Sequence, residues 1–137
     1  MALSTLCCVQ GLAQLAIDLS RTHAANPNWT GHARFHVAWQ SVTVALLMIV
    51  ALGLIWENGP VQSASFYLAV VLACLSPLGF VAALLIRKRY GGTLSDPSGI
   101  PPVKVMIEGK PYLIDLNLAA VVFAFAAVIA IVAIYRA

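Results

Sequence analysis

Charged side chains are scarce in this chain: they make up 9% of its 137 residues, whereas 61% of the residues are hydrophobic. A soluble domain usually carries about 25% charged residues, so a protein with so few cannot cover a surface that faces water. The composition therefore predicts an integral membrane protein with one domain, residues 1–137. It excludes a nucleic-acid partner, because a net charge of +3 is accounted for by the basic loops that flank membrane spans.

Motifs of several common activities are also missing. The three cysteines show no C-x-x-C spacing, which excludes a zinc knuckle or a dithiol pair and favours apolar packing. The sequence contains no glycine-rich phosphate loop, nucleophile elbow or carrier signature. No Lys or Arg precedes Leu12. We therefore expect the first segment to remain as a helix and not to be removed as a signal peptide.

Long apolar segments are what the chain does have. The hydrocarbon core of a bilayer is about 30 Å thick and needs roughly 20 helical residues, so each segment predicts one membrane span. Together they predict an all-α four-helix bundle. Gln10, Gln14 and Asp18 interrupt the first segment, and we expect a neighbouring helix to cover its polar side. The four segments are Ala2–Leu19, Val37–Trp56, Phe66–Ile86 and Leu116–Tyr135.

Turn and cap residues predict where these helices begin and end. Thr30 is the expected N-cap of the second helix, which Asn58, Gly59 and Pro60 should terminate. The third helix is expected over Ser65–Tyr90. Pro77 lies inside it, and a proline there bends the helix and frees one backbone carbonyl.

The connection from Gly91 to Ile114 is the longest in the chain. Its second half contains two short strand-like runs on either side of Glu108 and Gly109, which predict a small hairpin. Long connections are often lids or binding loops. This one should lie on the same side of the membrane as the histidines, so we expect that it can cap them.

The positions of the basic residues predict the orientation. Seven of the eight lie in or beside the first and third connections, which the positive-inside rule places in the cytoplasm. Both termini should then lie on the opposite side, and the basic residues can contact anionic lipid headgroups. The seven are Arg21, Arg34, Arg87, Lys88, Arg89, Lys104 and Lys110.

Reactive side chains are concentrated between residues 18 and 40, a segment that includes all three histidines. Ionisable groups near membrane depth are costly, so this concentration indicates a functional site. Polar residues spaced three or four positions apart form one stripe on each of the first two helices. They consist of Gln10, Gln14 and Asp18 on the first helix and of His32, His36, Gln40 and Thr43 on the second. Because a short turn joins the two helices, we expect them to pack antiparallel with these stripes facing each other.

Three interpretations of this seam remain open. In the first, polar side chains only hold helices together, and Asp18 pairs with Arg21 or Arg34. In the second, Asp18 and a histidine exchange protons with a sterol-like, isoprenoid-like or quinone-like molecule that enters from the lipid. The expected proton-handling pair is Asp18 and His36. His23 and His32 assist it, and the expected ligand-binding residues are Arg21, Asn26, Trp29, Phe35 and Gln40.

The third interpretation is a divalent metal site. His32 and His36 are four residues apart and present two nitrogens on one helix face, while His23 and Asp18 can complete a set of four ligands. Ala33 follows His32 where an H-E-x-x-H zinc motif has glutamate. An alternative function, which involves no chemistry, is that of an accessory subunit of a larger membrane complex or of a homo-oligomer. The polar seam would then only hold helices together.

The same segment resembles a motif, D-x-x-x-T-H-x-x-N-P-x-W-x-x-H-A-R-F-H, of an uncharacterised family of small four-span membrane proteins from bacteria and fungi, some labelled acetyltransferase. The chain is also similar in layout to the EXPERA proteins, which include sterol isomerases and sterol-binding receptors. These resemblances imply a four-span fold and, from the second, a hydrophobic ligand. Neither supplies a reaction. The motif positions are Asp18, Thr22, His23, Asn26, Pro27, Trp29, His32, Ala33, Arg34, Phe35 and His36.

Overall fold

Four helices and one small hairpin make up the described part of the fold. The computed structural model describes residues 1–57, 62–95 and 99–137. The helical architecture and the hairpin between the third and fourth helices agree with the sequence-based prediction. The elements are α1 (Ala2–Asp18), α2 (Gly31–Ile55), α3 (Ser63–Ile86), β1 (Val103–Ile107), β2 (Lys110–Ile114) and α4 (Leu116–Arg136).

Three of the helices are long and apolar enough to cross a membrane. They are α2, α3 with the turn that follows it, and α4. Helix α1 is also apolar but has 17 residues, and at 1.5 Å per residue it is about 26 Å long. Length and composition therefore support three of the four expected spans directly, and α1 falls slightly short of the thickness of a hydrocarbon core.

Side-chain caps begin α2 and α4, and the cap at Thr30 is the one that the sequence predicts. The Thr30 hydroxyl accepts a hydrogen bond from the Ala33 amide at 3.2 Å, and the Asp115 carboxylate accepts one from the Leu118 amide at 2.9 Å. Each cap satisfies one amide that has no partner within the first helical turn.

Helix α3 ends earlier than predicted. Its regular part stops at Ile86, and a short 3₁₀ turn, Arg87–Arg89, follows. Gly91 then adopts a left-handed φ of 68°. The chain can turn away there because glycine has no Cβ to oppose this conformation. The predicted stop of α2 at Asn58, Gly59 and Pro60 lies outside the described residues.

The predicted hairpin is present, but it does not cover the histidines. Strands β1 and β2 are antiparallel and are joined by Glu108 (φ 49°) and Gly109 (φ 77°), a two-residue turn that requires positive φ at both positions. Almost all residues of both strands are exposed. His32 and His36 are exposed as well, so the expectation that the hairpin caps them is wrong.

Small residues allow α1 and α2 to approach each other closely. A Cβ added to Gly11 would lie 3.2 Å from the Cβ of Met48, and Cys7 is fully buried beside them. At one end of this interface, the Trp56 indole donates a hydrogen bond to the Ser4 hydroxyl at 3.1 Å. Helices that pack through small residues gain van der Waals contact without relying on the hydrophobic effect, which is absent inside a bilayer.

Aromatic stacking joins α3 to α4. The rings of Phe66 and Tyr135 lie 3.6 Å apart and nearly parallel, and the Tyr135 hydroxyl donates a hydrogen bond to the Ser63 hydroxyl at 3.3 Å. The start of α3 therefore meets the end of α4. As a result, α1 and α3 run in one direction, and α2 and α4 run in the other.

The close approach at Gly11 predicts that a large side chain destabilises the protein at this position but not at Gly53. Gly11→Leu should destabilise the folded protein by about 1–3 kcal/mol, since the added side chain overlaps Met48 and forces the helices apart. Thermal unfolding of the purified protein in detergent measures the effect. Gly53→Leu is the matched control, because nothing lies within 4 Å of the Cβ it would add. Equal losses in the two variants would contradict this account of the interface.

Candidate functional site

The polar stripe of α1 faces α3 and not α2. The Gln10 side-chain amide donates a hydrogen bond to the carbonyl of Ala73 at 3.3 Å, and the Ser76 hydroxyl donates one to the side-chain oxygen of Gln14 at 3.1 Å. The prediction of a seam in which the stripes of α1 and α2 face each other is therefore wrong. The physical reason is the close packing of α1 on α2 at Gly11, which leaves long polar side chains to the side, next to α3.

Pro77 explains why Gln10 contacts that particular carbonyl. In a regular helix the carbonyl of Ala73 would accept a hydrogen bond from the amide four residues later, which is position 77. Proline has no amide hydrogen, so the carbonyl needs another donor. The Gln10 amide supplies it from the neighbouring helix. Pro77 of α3 and Gln10 of α1 thus form one structural unit.

Asp18 continues this polar chain at the end of α1. It is half-buried, the Gln14 side chain is hydrogen-bonded to it, and the charge of His23 acts on it. A carboxylate at the C-terminal end of a helix faces the negative end of the helix dipole, so a nearby imidazolium is a favourable partner. The imidazole neighbour of Asp18 is therefore His23, and the prediction that it is His36 is wrong.

The loop between α1 and α2 holds His23 in place. Its Nδ1 lies 2.8 Å from the Thr22 hydroxyl, which in turn lies 2.7 Å from the Ser20 hydroxyl. On another side, the Trp29 ring meets the imidazole edge to face at 5.3 Å. Because Nδ1 is engaged by Thr22, Nε2 is the ring nitrogen that can exchange a proton with another group.

Asn26 shapes this loop from within. It is 2% exposed, and its side-chain oxygen accepts a hydrogen bond from the Asn28 amide at 2.9 Å. Its own amide donates to the carbonyl of His23 at 2.9 Å. Asn26 thus sets the position of His23, whereas Arg21, another expected ligand-binding residue, is exposed. Pro27 and Asn28, which follow Asn26, lie in a turn.

The histidines of α2 lie on the outer surface of the bundle. The Nε2 atoms of His32 and His36 are 3.1 Å apart, and both residues are exposed. Phe35 and Trp39 flank them and are 64% and 60% exposed. Gln40 continues the stripe and is exposed too. The stripe lies about 100° around α2 from its packed face.

The structure does not assemble the four-ligand metal site. Within residues 1–57, 62–95 and 99–137, no group of three or more His, Cys, Asp or Glu side chains is placed to hold a metal ion. His32 and His36 pair with each other, and Asp18 and His23 interact with each other. The expected set of His23, His32, His36 and Asp18 is therefore split into two pairs on different surfaces.

Two apolar hollows lie away from these residues. One, of about 210 Å³, is at the opposite end of the bundle and is lined by Met1, Ala2, Leu3, Ile55, Phe66, Ile131, Ile134 and Tyr135. The other is an open groove of about 620 Å³ where the hairpin meets the start of α4. Neither is lined by a residue of the expected site.

Sequence reasoning missed the contribution of α3 to the site. Ser76 and the carbonyl of Ala73 bind the two glutamines of α1. The side-chain oxygen of Gln10 is buried and has no hydrogen-bond partner among the described residues. The proline at position 77 was the available signal, since it predicts a free carbonyl at position 73 that a polar residue on a neighbouring helix can bind.

Comparison with known proteins assigns no family: no protein-family model, curated protein or solved structure matches the chain. The resemblances seen in the sequence therefore stay predictions, and only the geometry of the site indicates a function.

The contact between Gln10 and Ala73 can be tested by coupling two substitutions. Gln10→Leu should destabilise the protein by about 0.6–1.7 kcal/mol, the range measured for hydrogen bonds between membrane helices. In a Pro77→Ala background the loss should be much smaller, because the new amide at position 77 binds the Ala73 carbonyl. Unfolding of all four forms in detergent measures the coupling. Gln40→Leu is the control and should show no coupling to Pro77→Ala. The same loss for Gln10→Leu in both backgrounds would show that the two residues do not share this carbonyl.

Proposed function

We propose that this protein is a multi-span membrane protein that binds a small hydrophobic molecule along the polar seam between α1 and α3. The ligand class is sterol-like, isoprenoid-like or quinone-like, with an apolar body and one hydroxyl or carbonyl group. Three helices of membrane-spanning length and composition support the membrane location. Asp18 follows Gln10 and Gln14 on α1 and interacts with His23, so a ligand along the seam would lie beside this pair.

The observation that carries the proposal is the side-chain oxygen of Gln10, which is buried and has no hydrogen-bond partner in the part of the chain that the structure describes. A buried acceptor without a donor costs about 1–3 kcal/mol, so such atoms are rare in folded proteins unless something binds them. A ligand hydroxyl at this position supplies the missing donor. The Gln10 nitrogen is already bound to the Ala73 carbonyl, which holds the oxygen in a defined direction.

Asp18 and His23 provide the acid–base chemistry. The carboxylate can accept a proton from an acidic group of the ligand, and the imidazole can donate or remove one at a neighbouring atom. Thr22 and Trp29 hold the imidazole from two sides, which fixes its orientation. This pair replaces the expected pair of Asp18 and His36. The other two histidines belong to a separate surface.

The orientation follows the basic residues. The loop between α1 and α2, the turn after α3 and the hairpin lie at one end of the bundle. They carry six of the eight basic residues, and a seventh, Arg34, lies beside them in the first turn of α2. The positive-inside rule then places the pair of Asp18 and His23 at the cytoplasmic surface and both termini on the other side. In this orientation the lipid bilayer is the immediate partner, and a hydrophobic ligand enters from it.

One observation favours the second candidate function, a subunit of a larger membrane assembly. His32, His36 and Gln40 are polar, yet they are exposed on the outer face of a helix of membrane-spanning length. Polar side chains on such a helix usually face protein and not lipid, because lipid cannot satisfy their hydrogen bonds.

Ligand content tests the proposed function. The protein is purified in a mild detergent, and the hydrophobic molecules that remain bound are extracted and quantified by mass spectrometry. Gln10→Leu and Asp18→Asn should each retain about 5- to 30-fold less of one bound species, since each removes one hydrogen bond worth about 1–2 kcal/mol.

His36→Ala is the matched control, because His36 lies outside the seam. It should retain the wild-type amount of the bound species. Equal content in the wild type, both seam variants and the control would rule out binding at the seam. If, in addition to equal content in all forms, His36→Ala changes the assembly of the protein, the subunit function is supported instead.

A further inference from the structure

The two histidines of α2 have a geometry that the proposed ligand site does not use. We propose that His32 and His36 form half of a binding site for a divalent transition-metal ion of the zinc class, and that the same two histidines of a second copy of this chain complete it. The inference depends on the insertion of α2 in a membrane but not on the ligand proposed for the seam.

The distance between the two nitrogens carries the metal assignment. The Nε2 atoms of His32 and His36 lie 3.1 Å apart. Two imidazole nitrogens bound to one tetrahedral zinc ion at about 2.05 Å are separated by about 3.3 Å. The two rings therefore already converge as metal ligands do. They lie in the first two turns of α2, and the i, i+4 spacing keeps them on one face.

The surroundings of the pair are suitable for a metal. Both residues are exposed, so an ion can reach them without rearrangement of the bundle. The Trp39 ring is 5.8 Å from the His36 ring, and the Phe35 ring is 6.1 Å from it. An apolar surround of this kind restricts water around the ion and strengthens its bonds to the nitrogens.

The metal needs ligands that one chain does not provide. A structural zinc site has four protein ligands, and the described residues of this chain bring no third His, Cys, Asp or Glu to the pair. A second copy that presents the same pair supplies the other two nitrogens. A two-fold axis beside α2 is enough, because the same surface then meets itself.

Membrane insertion makes this pairing geometrically simple. Two copies inserted in the same orientation have parallel α2 helices, so identical residues meet at the same depth. The contact would also cover Gln40, one turn deeper on the same stripe, which is otherwise exposed on a membrane-length helix. Amide side chains often hydrogen-bond to each other across membrane helices. Phe35 and Trp39, which are largely exposed, would supply apolar contact around the metal.

Metal content and oligomeric state are measured together. The protein carries an affinity tag without histidine, is purified in detergent in the presence of Zn²⁺, and is then passed into metal-free buffer. Elemental analysis should find about 0.5 zinc per chain, and light scattering should find a dimer. A chelator should remove the zinc and convert dimers to monomers. Replacement of Zn²⁺ by Co²⁺ should produce the visible absorption of a tetrahedral cobalt site.

Substitutions assign the ligands. His32→Asn and His36→Gln should each reduce zinc below about a tenth of an equivalent and shift the protein to monomer. Both substitutions keep a polar side chain, and unchanged helix content by circular dichroism would confirm that the variants are folded. His23→Ala is the control with one histidine fewer, and its metal content should match the wild type because His23 lies in the loop beside Asp18.

Three results would overturn the proposal. Absence of zinc from the folded wild type would show that the histidine pair is only a hydrogen bond. Zinc retained by both α2 variants would place the metal elsewhere. One zinc per chain in a protein that remains monomeric would remove the second copy from the site.

Discussion

The carbonyl of Ala73 has no amide to bind in its own helix, because Pro77 stands four residues later. Gln10 of α1 binds that carbonyl instead, and this contact determines which way the polar side of α1 points. Gln14 and Asp18 follow on the same side of α1, where Gln14 binds Ser76 of α3 and Asp18 interacts with Gln14. One missing amide hydrogen therefore organises the polar interior of the bundle.

The close contact of Gly11 with Met48 completes the arrangement. It brings α1 and α2 so near each other that their interface accepts only small or apolar groups such as Cys7. Polar side chains are consequently sorted into two separate sets. One set is internal, from Gln10 to His23, and ends in an acid and an imidazole. The other is external, on α2, and has two converging imidazole nitrogens. The two sets suit different chemistry, proton exchange with a ligand in the first and metal binding or assembly in the second.

Local rules account for the parts of the fold that the sequence predicted well. The cap at Thr30 follows from a hydroxyl group placed just before an apolar helix. The hairpin turn follows from Gly109, which tolerates positive φ. Such features need only a few consecutive residues, so they can be predicted without knowing the packing. The end of α3 was placed too late, at Tyr90, because the backbone has already tightened into a 3₁₀ turn at Arg87–Arg89.

By itself, the sequence determined the number and kind of the elements, the scarcity of groups that water could solvate, and the segment in which reactive residues are concentrated. These properties depend on composition and on spacing along one helix. Only the tertiary structure decided which helix each polar face meets, and hence that Asp18 interacts with His23 and not with His36. In helices that are apolar on nearly every side, hydropathy does not distinguish the packed face from the lipid-facing one. The rotation of each helix is set by a few contacts between distant residues, here Gly11 with Met48 and Gln10 with the Ala73 carbonyl.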